Sequence, residues 1–335
     1  MGRLRRWHLA ATVLLLVGLH GAAWLAAAWH LRAALDALGQ PQPGQNWRIE
    51  RGAVRAAGWP LAAALEIEAL RLTSADGRTV FRIPNTRTEI ALSHPTLTRI
   101  ALSGTITVEV DGVMAAEFTA SRAEASVALI APHEAMLAVR DMQARTAAGP
   151  SALARFDIRA VANPAARASE IALSLDASAE GIDFAGLAPV LRGPLGGRIA
   201  TATLSATLSG PIDLRLPSPA QAARAWRNGG GVLTISELDL QWSRLDINLQ
   251  ASLGLDAALQ PEGSGSVGAG GIAETLDRAV GEGLIPASSA RAVKAVIGLM
   301  PKTPDGKISI PLTVKNQMLS AARFPLLRLP DLQWP

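Results

Sequence analysis

The sequence predicts a mainly β chain with a few helices in its C-terminal half. This is an α+β fold built on a long, curved antiparallel sheet with one apolar face, preceded by a single N-terminal transmembrane helix. Three observations predict it. Short segments alternate apolar and polar residues with period two, Asp-Gly turn signals separate several of them, and one stretch of 25 residues near the N-terminus carries no Asp, Glu, Lys or Arg. Strict alternation marks antiparallel strands with one covered face, because parallel strands are covered on both faces and read as continuous apolar runs.

The uncharged stretch, WHLAATVLLLVGLHGAAWLAAAWHL, lies between Arg6 and Arg32. A helix from Leu9 to Leu31 would measure about 34 Å, enough to cross a hydrocarbon core of about 30 Å. Trp7, Trp24 and Trp29 stand near its ends, where indoles favour the membrane interface. Arg3, Arg5 and Arg6 precede it and Arg32 follows, so the positive-inside rule keeps the N-terminus in the cytoplasm and exports the rest. Ala26 to Ala28 would also serve as the small-residue site of a cleaved signal peptide. The apolar run exceeds the roughly 7–15 residues of such a signal, however, which favours a retained anchor or uncleaved signal over residues 1–32. Residues 33–46, ending in GQPQPGQN, read as a connector, and 47–335 as one exported β-rich domain.

Composition excludes several functions. The four arginines around the anchor leave 28 Lys and Arg against 28 Asp and Glu, so the exported part is formally neutral. Nucleic acid is not an expected partner, since phosphate-binding surfaces cluster Lys and Arg on the binding domain. With no cysteine, neither a disulfide framework nor a thiolate metal site is possible.

Within the exported part, Leu245, Ile247, Leu249, Ala251, Leu253 and Leu255 would point to one face of a strand, and Asp246, Asn248, Gln250 and Ser252 to the other. The phase differs upstream, where Leu238, Leu240 and Trp242 are even-numbered. Ser243-Arg244 therefore reads as a bulge or tight turn, and Ser236-Glu237 as a second phase change. Arg99 to Val110 reads as one strand with Ile100, Leu102, Ile106, Val108 and Val110 on a common face and Gly104 in phase. Ala200 to Leu208 and Ile308 to Val314 repeat the pattern. Asp76-Gly77, Asp111-Gly112 and Asp305-Gly306 are expected tight turns.

Helices are expected near 218–228, 272–284 and 288–300. Ser218-Pro219 is a good N-cap followed by Pro at N1, with Gly229 to Gly231 as the stop. Leu276, Val280 and Leu284 mark the second helix, and Val293, Val296, Ile297 and Met300 the third. Gly58-Trp59-Pro60 reads as a turn whose indole packs under the first strands.

No residue set predicts catalysis. Gly263 to Gly268 matches G-x-G-x-x-G, but a dinucleotide site needs a buried parallel strand before it, and the preceding strand alternates. A flexible strand-to-helix loop is the expectation there. His94 and His133 are isolated, and neither H-E-x-x-H nor G-x-S-x-G occurs. No catalytic, metal-ligating or cofactor-binding residue is assigned, no cofactor is expected, and the chain is not expected to be an enzyme.

Gly58-Trp59-Pro60, Leu240-Gln241-Trp242, Leu255-Asp256 with Pro261-Glu262-Gly263, and Ile310-Pro311-Leu312-Thr313-Val314 resemble a known family. Over most of residues 1–330 the chain looks like the bacterial family called domain of unknown function 2125. That resemblance implies a single-pass envelope protein of a Gram-negative bacterium, in the inner membrane, with its N-terminus cytoplasmic and its main domain periplasmic. The family is distantly similar to AsmA-like envelope proteins, whose β-rich grooves are implicated in moving or accommodating lipids. This chain is much shorter than the bridge-forming members of that group, and no catalytic residues come with either resemblance. The expected function is binding or helping to move lipid, with membrane and phospholipid as partners. The groove candidates are Leu245, Ile247, Leu249, Leu253 and Leu255, with Leu102, Ile106 and Val108. The alternative is a non-enzymatic envelope scaffold or assembly factor that binds other envelope proteins.

Overall fold

The computed structural model describes residues 2–40, 47–184, 196–212, 218–298, 300–302, 306–321 and 324–334, with side chains other than those of 2–14, 16, 38, 292 and 296. Asp305 of the expected turn, residues 41–46 of the connector and the side chains of Trp7 and Val296 lie outside that description. The chain is mainly β, and among the described residues 18 strands pair antiparallel. Where one exported domain was expected, there are two compact units: residues 1–130 with 137–147, and 131–136 with 148–335.

The first unit begins with helix α1 (Gly2–Gly39). Strands β1 (Trp47–Glu50), β2 (Val54–Ala57), β3 (Ala62–Ser74) and β4 (Thr79–Ala91) follow. Next come β5 (Leu97–Ser103), β6 (Ile106–Val110), β7 (Val113–Thr119), β8 (Arg122–Ala128) and, from Leu137 on, β9 (His133–Thr146). The long β3–β4 ladder places Ala63 opposite Ile90, Leu65 opposite Thr88 and Ile67 opposite Thr86. One helical stripe lies on this face. Leu31 is buried with Ala63, Leu65 and Ile90, and Trp24, Ala27, Ala28 and Leu35 pack around them.

Polar contacts fix the helix lengthwise. The His20 ring donates Nε2–H to the Pro60 carbonyl at 2.6 Å, Trp24 Nε1–H donates to the Ala62 carbonyl at 2.6 Å, and Asp36 pairs with Arg51. Thus α1 continues to Gly39, through residues expected to form a connector, and from His20 onward it belongs to this unit's core. Leu31, at 5% exposure, is not available to lipid as the Leu9–Leu31 span required. Among the described residues no helix is long and apolar enough to cross a membrane. The side chains of the span's first half, through Leu14 and again at Leu16, lie outside them.

Two other expectations change here. The Arg99–Val110 strand is broken into β5 and β6, because Gly104 adopts a φ of +89° and redirects the chain. Leu102 stays between β4 and β8, opposite Thr86 and Ala123, while Val108 pairs with Phe81 and Ala116. Trp59 does not pack under the strands; its ring meets those of His20 and Trp24 edge-on, at 5.4 and 5.8 Å.

The Asp76-Gly77 and Asp111-Gly112 turns form the charged end of this unit. Arg78 donates to both Asp111 carboxylate oxygens at 2.8 and 2.9 Å, and Arg82 to both of Glu109 at 3.1 and 2.8 Å. These hydrogen bonds hold both carboxyls below their ordinary range. A depressed carboxyl stabilises the fold above its unfolded value, and that contribution is lost as pH falls through the folded value. The stability difference between the native chain and Asp111→Asn should therefore be present at neutral pH. It should vanish as the pH drops below about 4, as measured by hydrogen exchange in the β3–β4 turn.

The second unit is a meander. Strands β10 (Gly149–Ala162), β11 (Ile171–Asp183) and β12 (Arg198–Ser209) lead to helix α2 (Pro219–Asn228), then β13 (Val232–Trp242), β14 (Leu245–Leu255) and β15 (Pro261–Gly270). Helices α3 (Ile272–Gly281) and α4 (Ala287–Gly298) precede β16 (Ile308–Lys315), β17 (Met318–Ala321) and β18 (Phe324–Arg328). From β10 to β18 each strand pairs antiparallel with the next. Ser218 caps α2 by accepting from the Gln221 N–H at 3.3 Å, with Pro219 opening the helix. Ser243-Arg244 is the β13–β14 hairpin turn, and the ladder slips between Ile235 and Leu238.

Gly263 to Gly268 is strand, where a flexible loop was expected. Gly263, Gly265, Val267 and Ala269 stay in phase opposite Leu253, Ala251, Leu249 and Ile247. A Cβ on Gly263 or Gly265 would overlap the Ser252 or Gln250 carbonyl oxygen of β14, so the glycines serve close strand approach.

Candidate apolar binding site

The β14 stripe is one row of a broad apolar face. Leu253 lies opposite Leu233, which lies opposite Leu208, which lies opposite Leu173. Beyond the Ala251, Ile235, Ala206 and Leu175 row, Leu249, Leu238, Leu204 and Ala177 are aligned, and then Ile247, Leu240, Ala202 and Ala179. The reverse face carries Asp246, Asn248, Gln250 and Ser252, together with Thr203, Ser205 and Thr207 from β12. Every one of the six apolar β14 positions is only half-buried. Apolar area left near water at about 25 cal/mol per Å² is a standing driving force for a cover or a ligand.

Part of this face is roofed, and a cavity of about 570 Å³ lies under the roof. Its floor is Leu208, Leu233, Leu253 and Leu255; α2 contributes Ala222, Ala223 and Trp226; the C-terminal segment contributes Leu332 and Trp334. The volume falls within the range of about 300–1,000 Å³ typical of small-molecule sites. Both indoles are satisfied outside it. Trp226 Nε1–H donates to the Ser209 carbonyl at 2.8 Å and Trp334 Nε1–H to the Leu259 carbonyl at 3.1 Å, leaving their ring faces as lining.

The β14–β15 turn secures the roof. Asp256 Oδ1 accepts from the Ala258 and Gln260 N–H groups at 2.8 Å each. The buried Gln260 amide donates to the Leu332 carbonyl at 3.2 Å and accepts from the Leu332 N–H at 2.9 Å. Among the described residues, Ser218, already occupied as the α2 cap, is the one hydroxyl in the lining. Such walls offer burial and dispersion to a flexible apolar chain.

A smaller hollow of about 220 Å³ lies on the same face over Phe156, Ala179, Ala202, Leu204, Leu238 and Leu240. Small residues deepen it.

Of the residues assigned from sequence, Leu253 and Leu255 line the large cavity. Leu249 sits opposite Leu238 beside the smaller hollow, and Ile247 and Leu245 continue the face opposite Leu240 and Trp242. Leu102, Ile106 and Val108 belong to the first unit and line none of these hollows, because β5 and β6 pair within that unit's sheet. Sequence reasoning did not find Trp226, Leu332 or Trp334. The first had a signal, the Ala222, Ala223, Trp226 stripe at helical spacing; the other two had none.

A family model described as "Uncharacterized protein conserved in bacteria (DUF2125)" matches residues 24–330. The chain belongs to this family. No curated protein and no solved structure matches it. In this DUF2125 chain all but one of the segments that carry the resemblance are structural parts of the second unit; Gly58-Trp59-Pro60 lies in the first. Leu255 and Pro261 line the cavity, Asp256 builds the turn beside it, and Trp242 Nε1–H donates to the Gly196 carbonyl at 2.9 Å.

The first unit holds a polar concavity among Arg87, Glu89, Arg99, Arg122 and Glu124. Its charges pair across and along strands: Arg87 with Glu89 at 3.1 Å, and Arg122 with Glu124 at 2.6 Å. Exposed pairs of this kind are worth about 0–1 kcal/mol each and describe a solvated face.

Proposed function

We propose that this DUF2125 protein is anchored in the bacterial inner membrane by the N-terminal half of α1. In this reading it holds its β units in the periplasm and binds a phospholipid acyl chain in the cavity between α2 and β12–β15. The carrying observation is the cavity itself, roomy and lined by aliphatic and indole side chains whose polar atoms are already satisfied. Each methylene moved from water into it is worth about 0.8 kcal/mol. The uncharged run between Arg6 and Arg32 supports the anchor, and the distant resemblance to AsmA-like proteins expected of the family from sequence supports lipid as the ligand class.

The test is photocrosslinking of the full chain, in mild detergent, to a phosphatidylethanolamine with a diazirine in one acyl chain. Adducts are expected on β12–β14, α2 and residues 332–334. They should be lost in Ala222→Trp, which fills the cavity from the helix side. Adducts confined to α1, unchanged by Ala222→Trp, would sink the reading.

The scaffold reading draws on β18, where Phe324, Leu326 and Leu327 are exposed. An envelope protein covering that strand would protect it from exchange without touching the cavity.

A further inference from the structure

We infer that the Trp59 end of the first unit is a membrane-docking surface, with Trp59, Leu61 and Ile130 set into the headgroup boundary of the bilayer. The inference rests on the anchor reading above and extends it to the β-sheet.

Contacts at His20–Pro60, Trp24–Ala62, Leu31–Leu65 and Asp36–Arg51 show α1 running along the start of β3. Residues before His20 therefore project past the Gly58–Leu61 turn. Leu15 and Leu19 on one side of the helix and Val17 on the opposite side are all exposed, so no described protein surface covers either side there. From Trp7 to Leu19 the helix rises only about 20 Å, short of a hydrocarbon core of about 30 Å. Because α1 is locked to the sheet from His20 onward, a bilayer that accommodates the anchor brings the end of the sheet with it.

That end is built for contact with lipid. Three segments meet there: the β2–β3 turn, the β4–β5 turn and the end of β8, joined by Leu92 N–H to the Leu61 carbonyl at 3.0 Å and Leu129 N–H to the Thr96 carbonyl at 2.7 Å. Ala56–Leu65, Ile90–Thr98 and Ala125–Ile130 contain no Asp, Glu, Lys or Arg, in a chain that is 18% charged. Trp59 is 55% exposed, Leu61 78% and Ile130 58%. An indole beside aliphatic tips is the composition favoured at membrane interfaces. The opposite end of the same sheet carries Asp76, Arg78, Glu109 and Asp111.

The chain has no cysteine, so single cysteines report cleanly. Leu61→Cys, Ile130→Cys and Ala75→Cys, each in the full chain, are labelled with an environment-sensitive fluorophore. The protein is then reconstituted in phosphatidylethanolamine–phosphatidylglycerol vesicles with or without brominated acyl chains. Ala75 lies at the far end of β3, about 40 Å away at the usual rise per residue, and serves as the water-exposed control. Expected are blue-shifted emission and severalfold stronger bromine quenching at positions 61 and 130 than at 75. All three positions are exposed in the fold, so labelling leaves the core intact. Equal, water-like emission at all three in protein that floats with the vesicles would overturn the docking surface and leave the anchor standing. Protein that fails to float would overturn both.

Discussion

A chain that begins at residue 36 is expected to lose the fold of its first unit. The cut removes Trp24, Leu31 and Leu35 from a core in which Leu65 is 1% exposed, together with the hydrogen bonds to Pro60 and Ala62. Uncovering side chains of that size costs about 1.5–3 kcal/mol each. Several at once approach the whole stability of a domain, about 5–15 kcal/mol. Leu31→Ala in the full chain isolates one term and should cost about 2–5 kcal/mol. Amide exchange in β3 and β4 is the measurement, with loss of protection expected after truncation. Unchanged protection would mean that α1 is an appendage. The same packing argues against processing after Ala28, since a cut there would remove His20 and Trp24 from the domain they hold.

Gly231→Val is expected to disable the cavity. Gly231 is buried ahead of β13, and a Cβ at that position would overlap the Trp226 indole. Any larger side chain must expel the indole from the wall, carrying its bond to the Ser209 carbonyl with it. Overpacking of this kind costs about 1–3 kcal/mol, so the sheet should survive while α2 shifts. The expected outcome is loss of acyl-chain crosslinks at 332–334, with β10–β12 still protected from exchange. Crosslinks at native level would show that ligand does not use the Trp226 wall.

What could be read from the sequence was whatever depends on neighbours along the chain. The β14 alternation, the phase changes at Ser236-Glu237 and Ser243-Arg244, and the Ser218-Pro219 helix start are local signals, and the structure contains each of them. Glycine defeated the same logic in β15, because a residue without a side chain cannot display alternation. Gly104 read as an in-phase strand residue, although its positive φ ends β5. The α1 docking face was hidden for the opposite reason: in a helix that is apolar on all sides, the stripe of Trp24, Ala28, Leu31 and Leu35 has no polar background to stand against. Half of the cavity was equally out of reach. Leu253 and Leu255 stand in an alternating strand, but Leu332 and Trp334 reach the site only through the hydrogen bonds of Gln260 and Leu259.

The order in which the second unit assembles follows from its meander. Since every ladder from β10 to β18 joins sequence neighbours, strands can zip one after another along the chain, with little loop entropy to overcome at each step. The cavity cannot mature on that schedule. Leu332 and Trp334 must fold back 72 and 75 residues to the β14–β15 turn, the most distant closure in its described wall. The hydrophobic floor is therefore laid down first and stays open until residues 332–334 dock, so an apolar ligand present during folding meets an unroofed site and can be enclosed when they do.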